Sequence, residues 1–354
     1  MSQRYPGNIV RATPLTPTGP AQDGAASGVW TLDQAQYWLR QGLWPIAGRL
    51  ADGTFGIFAL GCNNNSWTAA REKYTYSNCV NSAATAATSQ PYLGGSAAGN
   101  STVGIFTLNS SERNKYVYAT NVVSAGGAAT QGTPFGGGSA TGNSTTGIFA
   151  LGVDVYYCCC GYSNPIFLTT RNKYTYSNDA VASAASSSPG SGFGAAVGNS
   201  TVGIFALGAT SGSDTNFCVN RSSTRNKYTY SGDTNASATS ATAASMRMSA
   251  AGNSTTGIFA LGETSYNTGL VTRNKYTYSG DVNASATAAT AASFSGAAAG
   301  NSTRGIFALG STPSSSTTRN RYTYSGDVVA AGTASVIGSS KGSAASNGIT
   351  GVTI

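Results

Sequence analysis

Two short sequence strings alternate six times along this chain and set its structural period. The first string, GIFALG or a close variant, begins at Gly56, Gly104, Gly147, Gly203, Gly257 and Gly305. The second string, of the type RNKYTY, begins at Arg71, Arg113, Arg171, Arg225, Arg273 and Arg319. Because self-similarity with a period of roughly 20 to 50 residues is typical of solenoids, propellers and arrays, the sequence predicts a repeat protein.

Each repeat is predicted to form four short strands. The apolar run of GIFALG fits an inner strand with both faces covered. KYTY alternates, so that Tyr276 and Tyr278 share one face of a second strand. SGDVNASAT supplies a turn and a third strand, and the GNST turn leads through a short fourth segment into the next repeat. Four strands in each repeat predict the blade of an all-β propeller.

Six repeats predict a six-bladed ring. The segment GVTI at Gly351 matches the start of a seventh GIFALG string, and we expect it to pair with the first blade and close the ring. Closure would remove the exposed sheet edges that a linear stack leaves. A seven-bladed ring that includes the N-terminal region is the alternative.

The repeats resemble kelch-like and related Gly-rich propeller repeats, and most closely those of bacteriophage virion proteins, in which strings like GIFALG and TRNKYTYSGD recur. The resemblance covers about residues 48–354. The Gly-Gly pair after the inner strand and the later Trp of the kelch pattern are missing, so the resemblance implies the propeller fold first and a virion setting second.

Three regions are predicted: an extended N-terminal arm (1–29), a short helical docking segment (30–47) and the propeller (48–354). Prolines interspersed with Gly and Thr favour an extended arm. Thr31 and Gln34 have the spacing of a capping box, which predicts a helix that Gly42 and Pro45 end.

Aromatic residues are concentrated in the helical segment. Trp30, Trp38, Leu39 and Trp44 are predicted to dock into another virion protein, because aromatic anchors dominate interface energetics. The alternative is a helix that packs under the propeller as a plug. The string GVWTLDQAQYWLRQGLWP also looks like the short module that precedes variable domains in phage structural and tail-associated proteins.

The composition argues against catalysis. The chain has no His and 12 acidic residues, so Ser-His-Asp and Cys-His arrangements are excluded. Four acidic residues occupy the same turn after KYTY and are predicted to be turn residues or partners of nearby Arg side chains: Asp179, Asp233, Asp281 and Asp327. Many tyrosines on six blades resemble sialidases, but the Asp-box of that family is absent. We therefore expect no enzyme activity, no cofactor and no metal.

The net charge of +8 first suggests nucleic acid as a partner. However, 12 of the 20 Lys and Arg residues are the paired basic positions of the second string, so the repeat distributes them and no nucleic-acid site is expected. The sequence shows no signal-peptide core and no apolar run of about 18 residues, which predicts synthesis in a host cytoplasm without membrane insertion.

Variable loops between the two strings are the candidate binding sites, since loops vary while the scaffold holds them. Val153–Thr170 and Ala209–Thr224 are the longest, whereas the second repeat has a very short connection. The predicted contact residues are Tyr156, Tyr157, Tyr162, Ile166, Phe167 and Phe217. The alternative is a cover folded over the rim. Cys62 lies in such a loop and Cys79 follows a second strand, so they are expected on opposite rims and unpaired.

The expected function is that of a non-enzymatic virion protein on a tail or fibre, which binds a host-surface glycan or protein through the propeller. A capsid decoration or tail-ring assembly protein is the alternative, and a non-viral kelch-type binding scaffold is the second alternative.

Overall fold

The computed structural model describes residues 16–17, 29–41, 44, 54–64, 66–91, 94–108, 111–131, 135–157, 163–213, 218–312 and 314–348. The chain divides into two units, of which one contains the N-terminal helix and the other, Gly53–Gly351, contains the sheets. The extended arm predicted for residues 1–29 lies almost wholly outside the described residues.

The second unit is a six-bladed propeller of four-stranded antiparallel sheets, as predicted. In blades 1 to 6 the innermost strands are Ser343–Ser346, Ala97–Gly99, Ser139–Gly142, Ala195–Gly198, Ser249–Gly252 and Ala297–Gly300. The second strands are Phe55–Ala59, Val103–Thr107, Thr146–Ala150, Val202–Ala206, Thr256–Ala260 and Arg304–Ala308. The third strands are Arg71–Thr75, Arg113–Val117, Arg171–Thr175, Arg225–Thr229, Arg273–Thr277 and Arg319–Thr323. The outer strands are Val80–Ala84, Val122–Ala125, Ala180–Ala184, Thr234–Ala238, Val282–Ala286 and Val328–Gly332.

The GIFA segment is the second strand of each blade, and its Ile and Phe side chains are buried on both faces, as predicted. The innermost strand is the Ala- and Gly-rich segment that precedes the GNST turn, and the innermost strands of neighbouring blades lie against each other around the axis. Small side chains fit this crowded position, whereas the larger Ile and Phe side chains need the space between blades.

The hydrophobic core lies between blades. Successive side chains of a strand point to opposite faces, so Ile and Phe of each GIFA strand face different neighbours. Ile258 of blade 5 is fully buried in a cluster with Phe307 and Tyr322 of blade 6. Full burial of one such side chain contributes about 1.5–3 kcal/mol. The same contact, repeated around the ring, is the reason for the apolar run in the sequence.

Blade 1 combines the two ends of the propeller. Its innermost strand, Ser343–Ser346, pairs antiparallel with Phe55–Ala59, so that Gly56 faces Ser346 and Ala59 faces Ser343. The ring is therefore closed by a C-terminal strand, as expected, but by the inner strand of the last repeat. The GVTI segment that was predicted to close it lies outside the described residues.

Two- and three-stranded ribbons extend the loops between second and third strands in four blades. They are Cys62–Asn63 with Ser66–Trp67, Phe135–Gly136 with Val153–Tyr157 and Ser163–Phe167, Ala209–Ser213 with Cys218–Arg221, and Glu263–Ser265 with Thr268–Gly269. A single-turn 3-10 helix, Tyr324–Gly326, follows the third strand of blade 6.

The N-terminal helix is Leu32–Arg40. The predicted capping box is confirmed: the Gln34 backbone N–H donates to Thr31 Oγ1 at 3.2 Å, and the Thr31 N–H donates to Gln34 Oε1 at 3.0 Å. These bonds satisfy backbone donors that the first helical turn leaves without partners.

Candidate functional site

The six repeated arginines of the third strands belong to the scaffold. Arg225 of blade 4 is fully buried, its guanidinium carbon lies 4.5 Å from the ring centre of Phe259 of blade 5, and it donates to Asn274 of the same blade at 3.2 Å. Burial lowers the pKa of Arg225 to about 10, which leaves it charged at neutral pH. Equivalent arginine–phenylalanine stacks join every pair of neighbouring blades. These cations are thus enclosed between blades.

The repeated aspartates are also structural, as the sequence predicted. Asp179 has a left-handed backbone with φ 57°, accepts a hydrogen bond from Tyr174 at 2.8 Å, and pairs with Lys115 of the preceding blade at 2.9 Å. The corresponding ion pairs of Asp233 and Asp281 are longer. The partners are Tyr and Lys rather than the Arg of the second string.

One mouth of the propeller lies where the innermost strands begin. Ser139, the first residue of the blade 3 inner strand, pairs with Ala150, the last residue of the second strand. Because the strands are antiparallel, the loops that follow the second strands start at this same mouth. The two longest loops of the sequence, Val153–Thr170 and Ala209–Thr224, therefore belong to this rim, which we call the loop rim.

Six equivalent residues form a ring at the loop-rim mouth. They lie two or three residues before the inner strands of blades 2 to 6 and then blade 1: Gly94, Gly137, Phe193, Arg247, Ser295 and Lys341. Backbone hydrogen bonds connect them head to tail, from the N–H of each residue to the carbonyl of the preceding one, with N–O distances of 2.6 to 3.3 Å for Gly137, Phe193, Arg247, Ser295 and Lys341.

All six ring residues have a positive φ, between 54° and 86°. Glycine adopts this left-handed backbone freely, as at Gly94 and Gly137, whereas other residues do so at a cost of roughly 1–2 kcal/mol. Phe193, Arg247 and Lys341 are bulky and still occupy it. Such outliers concentrate at functional sites.

The ring surrounds an open cavity of about 280 Å³. Its wall is mostly apolar and comes from several blades: Val153, Phe167, Phe193, Val219, Met246 and Met248. Arg247 and Lys341 also line the cavity, and no acidic residue is among the lining residues that the structure describes. Further along the axis, the innermost strands enclose a smaller space of about 80 Å³ lined mainly by Ala and Gly.

Arg247 is held in position by a buried carboxylate. Its Nη1 lies 3.2 Å from Oε1 of Glu263, and Arg221 Nη2 lies 3.7 Å from the same oxygen. Burial raises the pKa of Glu263, against the effect of the two arginines. Since two cations share one carboxylate, this cluster keeps a net positive charge beside the cavity when Glu263 is ionised.

Lys341 adds a second cation to the mouth. Its Nζ lies 5.5 Å from the ring centre of Trp67, and it forms no ion pair with an acidic group of the described chain. Burial and the charge of Arg247 lower the pKa of Lys341. The mouth therefore holds two cations whose mutual repulsion is only partly compensated.

The structure places two of the predicted contact residues near this cavity. Phe167 is half-buried and lines the cavity, whereas its neighbour in the chain, Ile166, is 49 % exposed. Tyr156 and Tyr157 belong to the strand Val153–Tyr157, but their side chains are outside the description. Tyr162 and Phe217 lie outside the described residues altogether. Contact by any of these residues stays a prediction.

The predicted docking residues lie on and around the helix. The rings of Trp30 and Trp44 meet edge to face at 5.3 Å, and the ring of Trp38 meets that of Tyr37 at 5.0 Å. Leu39 is 48 % exposed, and no residue of the helix is buried. Docking of this segment stays a prediction.

Sequence reasoning missed Phe193, Arg247 and Lys341. A signal was present, because Phe193 and Lys341 each precede a Gly at the point where two other repeats read Gly94-Gly95 and Gly137-Gly138. Aligning the repeats at the inner strand would have exposed this variable position.

Cys62 and Cys79 are both free, as predicted. Cys62 follows a second strand and lies on the loop rim, whereas Cys79 follows a third strand at the other end of the blade. Within the described ranges, no three His, Cys, Asp or Glu side chains group as a metal site would need. Among the described helices, none is long and apolar enough to cross a membrane.

Comparison with known proteins shows no family for this chain. No protein-family model matches the chain, and no curated protein matches it. Among solved structures, that of YjhT is similar, with a TM-score of 0.49 and 11 % identity over 61 % of this chain and 72 % of that chain. The six-bladed β-propeller, a fold compatible with a binding scaffold, is established by the sheet topology of the chain itself.

Proposed function

We propose that this protein is a non-enzymatic binding protein that uses the loop rim of its propeller to contact a partner. The observation that carries the proposal is the cavity of about 280 Å³ at the mouth, to whose wall both of the longest loops contribute, through Phe167 and Val219. Binding sites of proteins are typically concave and mostly apolar, with a few placed polar groups. Phe167 links the variable Val153–Thr170 loop to this cavity.

We place the protein in a bacteriophage virion, on a tail or fibre, where the loop rim binds a glycan or protein of the host surface. The support is the resemblance of the repeats and of the Trp-rich segment to phage proteins. The protein is made in the host cytoplasm and joins the particle. It needs no cofactor, and nucleic acid and membrane are not partners.

The N-terminal helix is the proposed attachment to other virion proteins. Leu32, Tyr37 and Leu39 are all largely exposed on this short helix. Exposed apolar groups of this size lower the free energy when a partner covers them. With the helix attached to the particle, the propeller can present its loop rim to the host.

Absence of catalysis is supported by how the chain uses its ionisable groups. The chain has no His, the repeated aspartates bind Tyr and Lys, and Glu263 binds arginines. None of these groups is paired as a general acid with a general base in a cleft.

Binding of labelled full-length protein to cells of the host bacterium tests the proposal. We expect saturable binding that is lost when the Val153–Thr170 loop is replaced by the short connection of blade 2. Blade 2 shows that the blade folds with such a connection, and an unchanged melting temperature confirms it for the variant. The matched control replaces Tyr266 and Asn267, at the tip of the blade 5 ribbon, by glycines; neither residue lines the cavity, and Glu263, which holds Arg247, is kept.

Two results would contradict host binding. If the loop variant binds cells as well as the wild type, the loop rim is not the contact surface. If the wild type binds only isolated virion proteins and never cells, the protein is a decoration or tail-ring assembly component.

A further inference from the structure

The chemistry of the mouth cavity indicates what kind of molecule fits it. The cavity wall is apolar, so that apolar surface of a ligand would be buried there. It is formed in part by Val153, Phe167, Phe193 and Met248. An apolar cavity of roughly 150 Å³ accommodates benzene. A cavity of about 280 Å³ therefore has room for a larger apolar body.

The charge at the cavity has one sign. Lys341 and Arg247 line it, and the one carboxylate that compensates Arg247, that of Glu263, lies behind the lining. Bringing an anion to this position would relieve the repulsion between the two cations and form charge-assisted hydrogen bonds. A cationic ligand would add to that repulsion.

The ring positions provide an independent argument. Gly94 and Gly137 show that the scaffold needs only glycine at a ring position, yet Lys341 and Arg247 take the left-handed backbone at φ 54° and 55°. Glycine would remove this conformational cost without loss of the backbone hydrogen bonds. The backbone of the ring therefore does not require the side chains of Lys341 and Arg247, and both side chains line the cavity.

We propose that the mouth cavity binds a small organic carboxylate with an apolar body, its anionic group beside Lys341 and Arg247 and its body against Phe167, Phe193 and Met248. This inference rests on the proposed binding function, for which it names the class of ligand. Apolar contact provides part of the affinity, and the two cations select the anion over its neutral analogue.

Isothermal titration calorimetry of the full-length protein with 2-naphthoate and with its uncharged amide, 2-naphthamide, measures this selection. We expect 2-naphthoate to bind about tenfold or more tightly than the amide, because a hydrogen bond to a charged group contributes about 1.5–3 kcal/mol. The difference should shrink at high salt, since part of the mouth is open to water.

Two glycine variants of the ring separate charge from scaffold. Lys341→Gly should weaken 2-naphthoate binding about tenfold and leave 2-naphthamide binding nearly unchanged. Ser295→Gly is the comparison variant, because it makes the same backbone change at an uncharged residue that also lines the cavity, and it should change the affinities for 2-naphthoate and 2-naphthamide by the same factor. Glycine suits the φ of both sites, so both variants should melt at or above the wild-type temperature.

The inference is overturned if 2-naphthoate does not bind, if both probes bind equally, or if Lys341→Gly binds 2-naphthoate like the wild type. Saturable cell binding by the same Lys341→Gly protein distinguishes the two proposals. Binding of the wild type to cells without binding of 2-naphthoate would overturn only the proposed carboxylate site. Binding of 2-naphthoate without binding to cells would overturn only the proposed host-surface function.

Discussion

Arg319 and Glu72 form a buried ion pair, with 2.8 Å between Nη2 and Oε2, at the junction where blade 6 meets blade 1. At the other five junctions the equivalent arginine donates to a neutral Asn of the next blade. The side chains of Arg319 and Glu72 are 0 % and 4 % exposed. The junction that joins the chain ends therefore has a charged contact where the others have a neutral one.

Removal of the Glu72 carboxylate tests this junction. Glu72→Ala leaves the buried Arg319 without its counter-charge and Val336 N–H without its acceptor, so we expect a loss of about 3–5 kcal/mol in the free energy of unfolding. Glu72→Asn restores the pattern of the other junctions and should cost about 1 kcal/mol. Chemical unfolding measures both variants. Equal stability of Glu72→Ala and the wild type would contradict a stabilising role of the Arg319–Glu72 ion pair.

Acid should weaken the propeller through its turn aspartates. Burial alone would raise the pKa of Asp233, Asp281 and Asp327, but hydrogen bonds from the tyrosine five residues earlier and the nearby lysine outweigh it, so each pKa is lowered. A lowered folded-state pKa stabilises the protein above the unfolded value of about 3.9. This contribution is lost as the pH falls from about 5 through the folded pKa.

Asp281→Asn separates this effect from general acid unfolding. Asn121 already occupies the equivalent turn in blade 2 and accepts a hydrogen bond from Tyr116, so the variant should fold. Unfolding experiments at pH 7 and at pH about 2.5 should show the variant less stable than the wild type at pH 7, with a smaller difference in acid. The same difference at both pH values would contradict the lowered pKa.

Cys79 should be an unusually reactive thiol. It stands at the turn position where four other blades have Asp, and its Sγ lies 3.3 Å from Nη1 of Arg321 and 4.0 Å from Nη1 of Arg304. Burial opposes ionisation, but hydrogen bonds from Tyr74 and Arg321 and the charge of both arginines lower the pKa of the thiol. Since the thiolate is the nucleophile, we expect rapid alkylation near neutral pH.

Peptide-resolved mass spectrometry after brief treatment with iodoacetamide measures this reactivity. Cys79 should react rapidly at pH values well below the ordinary thiol pKa of about 8.5. Arg321→Met should shift the midpoint of its pH–rate profile to higher pH. The buried Cys62 serves as the internal control and should react slowly. Equal rates for the two cysteines would contradict the expectation.

Ser295→Gly should stabilise the protein. Ser295 has φ 55°, and the glycines at two equivalent ring positions show that the backbone requires no side chain there. Relief of the left-handed conformation contributes about 1 kcal/mol, although glycine also adds entropy to the unfolded chain. Thermal unfolding should therefore give an equal or higher melting temperature. A clear decrease would mean that the Ser295 side chain stabilises the mouth.

The repeat predicted the propeller, its six blades and closure by a C-terminal strand, because strand period and repeat period are both visible in the sequence. The repeat did not predict the order of strands within a blade, because the GIFA segment and the Ala-rich segment both have the sequence pattern of a buried strand. Only packing distinguishes them: the axis admits Ala299, whereas Ile306 and Phe307 need the space between blades.

Loop length alone pointed to Ile166 and Phe167, and Phe167 lines the mouth cavity, but contact of either residue with a partner stays a prediction. Arg247 and Lys341 were missed because they are far apart in the sequence and convergence on the axis brings them together. Single residues that replace Gly at one repeat position are visible only once the repeats are aligned at the innermost strand.

Cryo-electron microscopy of the bacteriophage particle into which we propose this protein assembles tests the proposed virion role. We expect the segment from Trp30 to Trp44 to be buried in another virion protein and the loop rim, with Phe167 and Lys341 at its mouth, to face solvent. A loop rim packed against capsid or tail subunits, or a particle that lacks the protein, would contradict it.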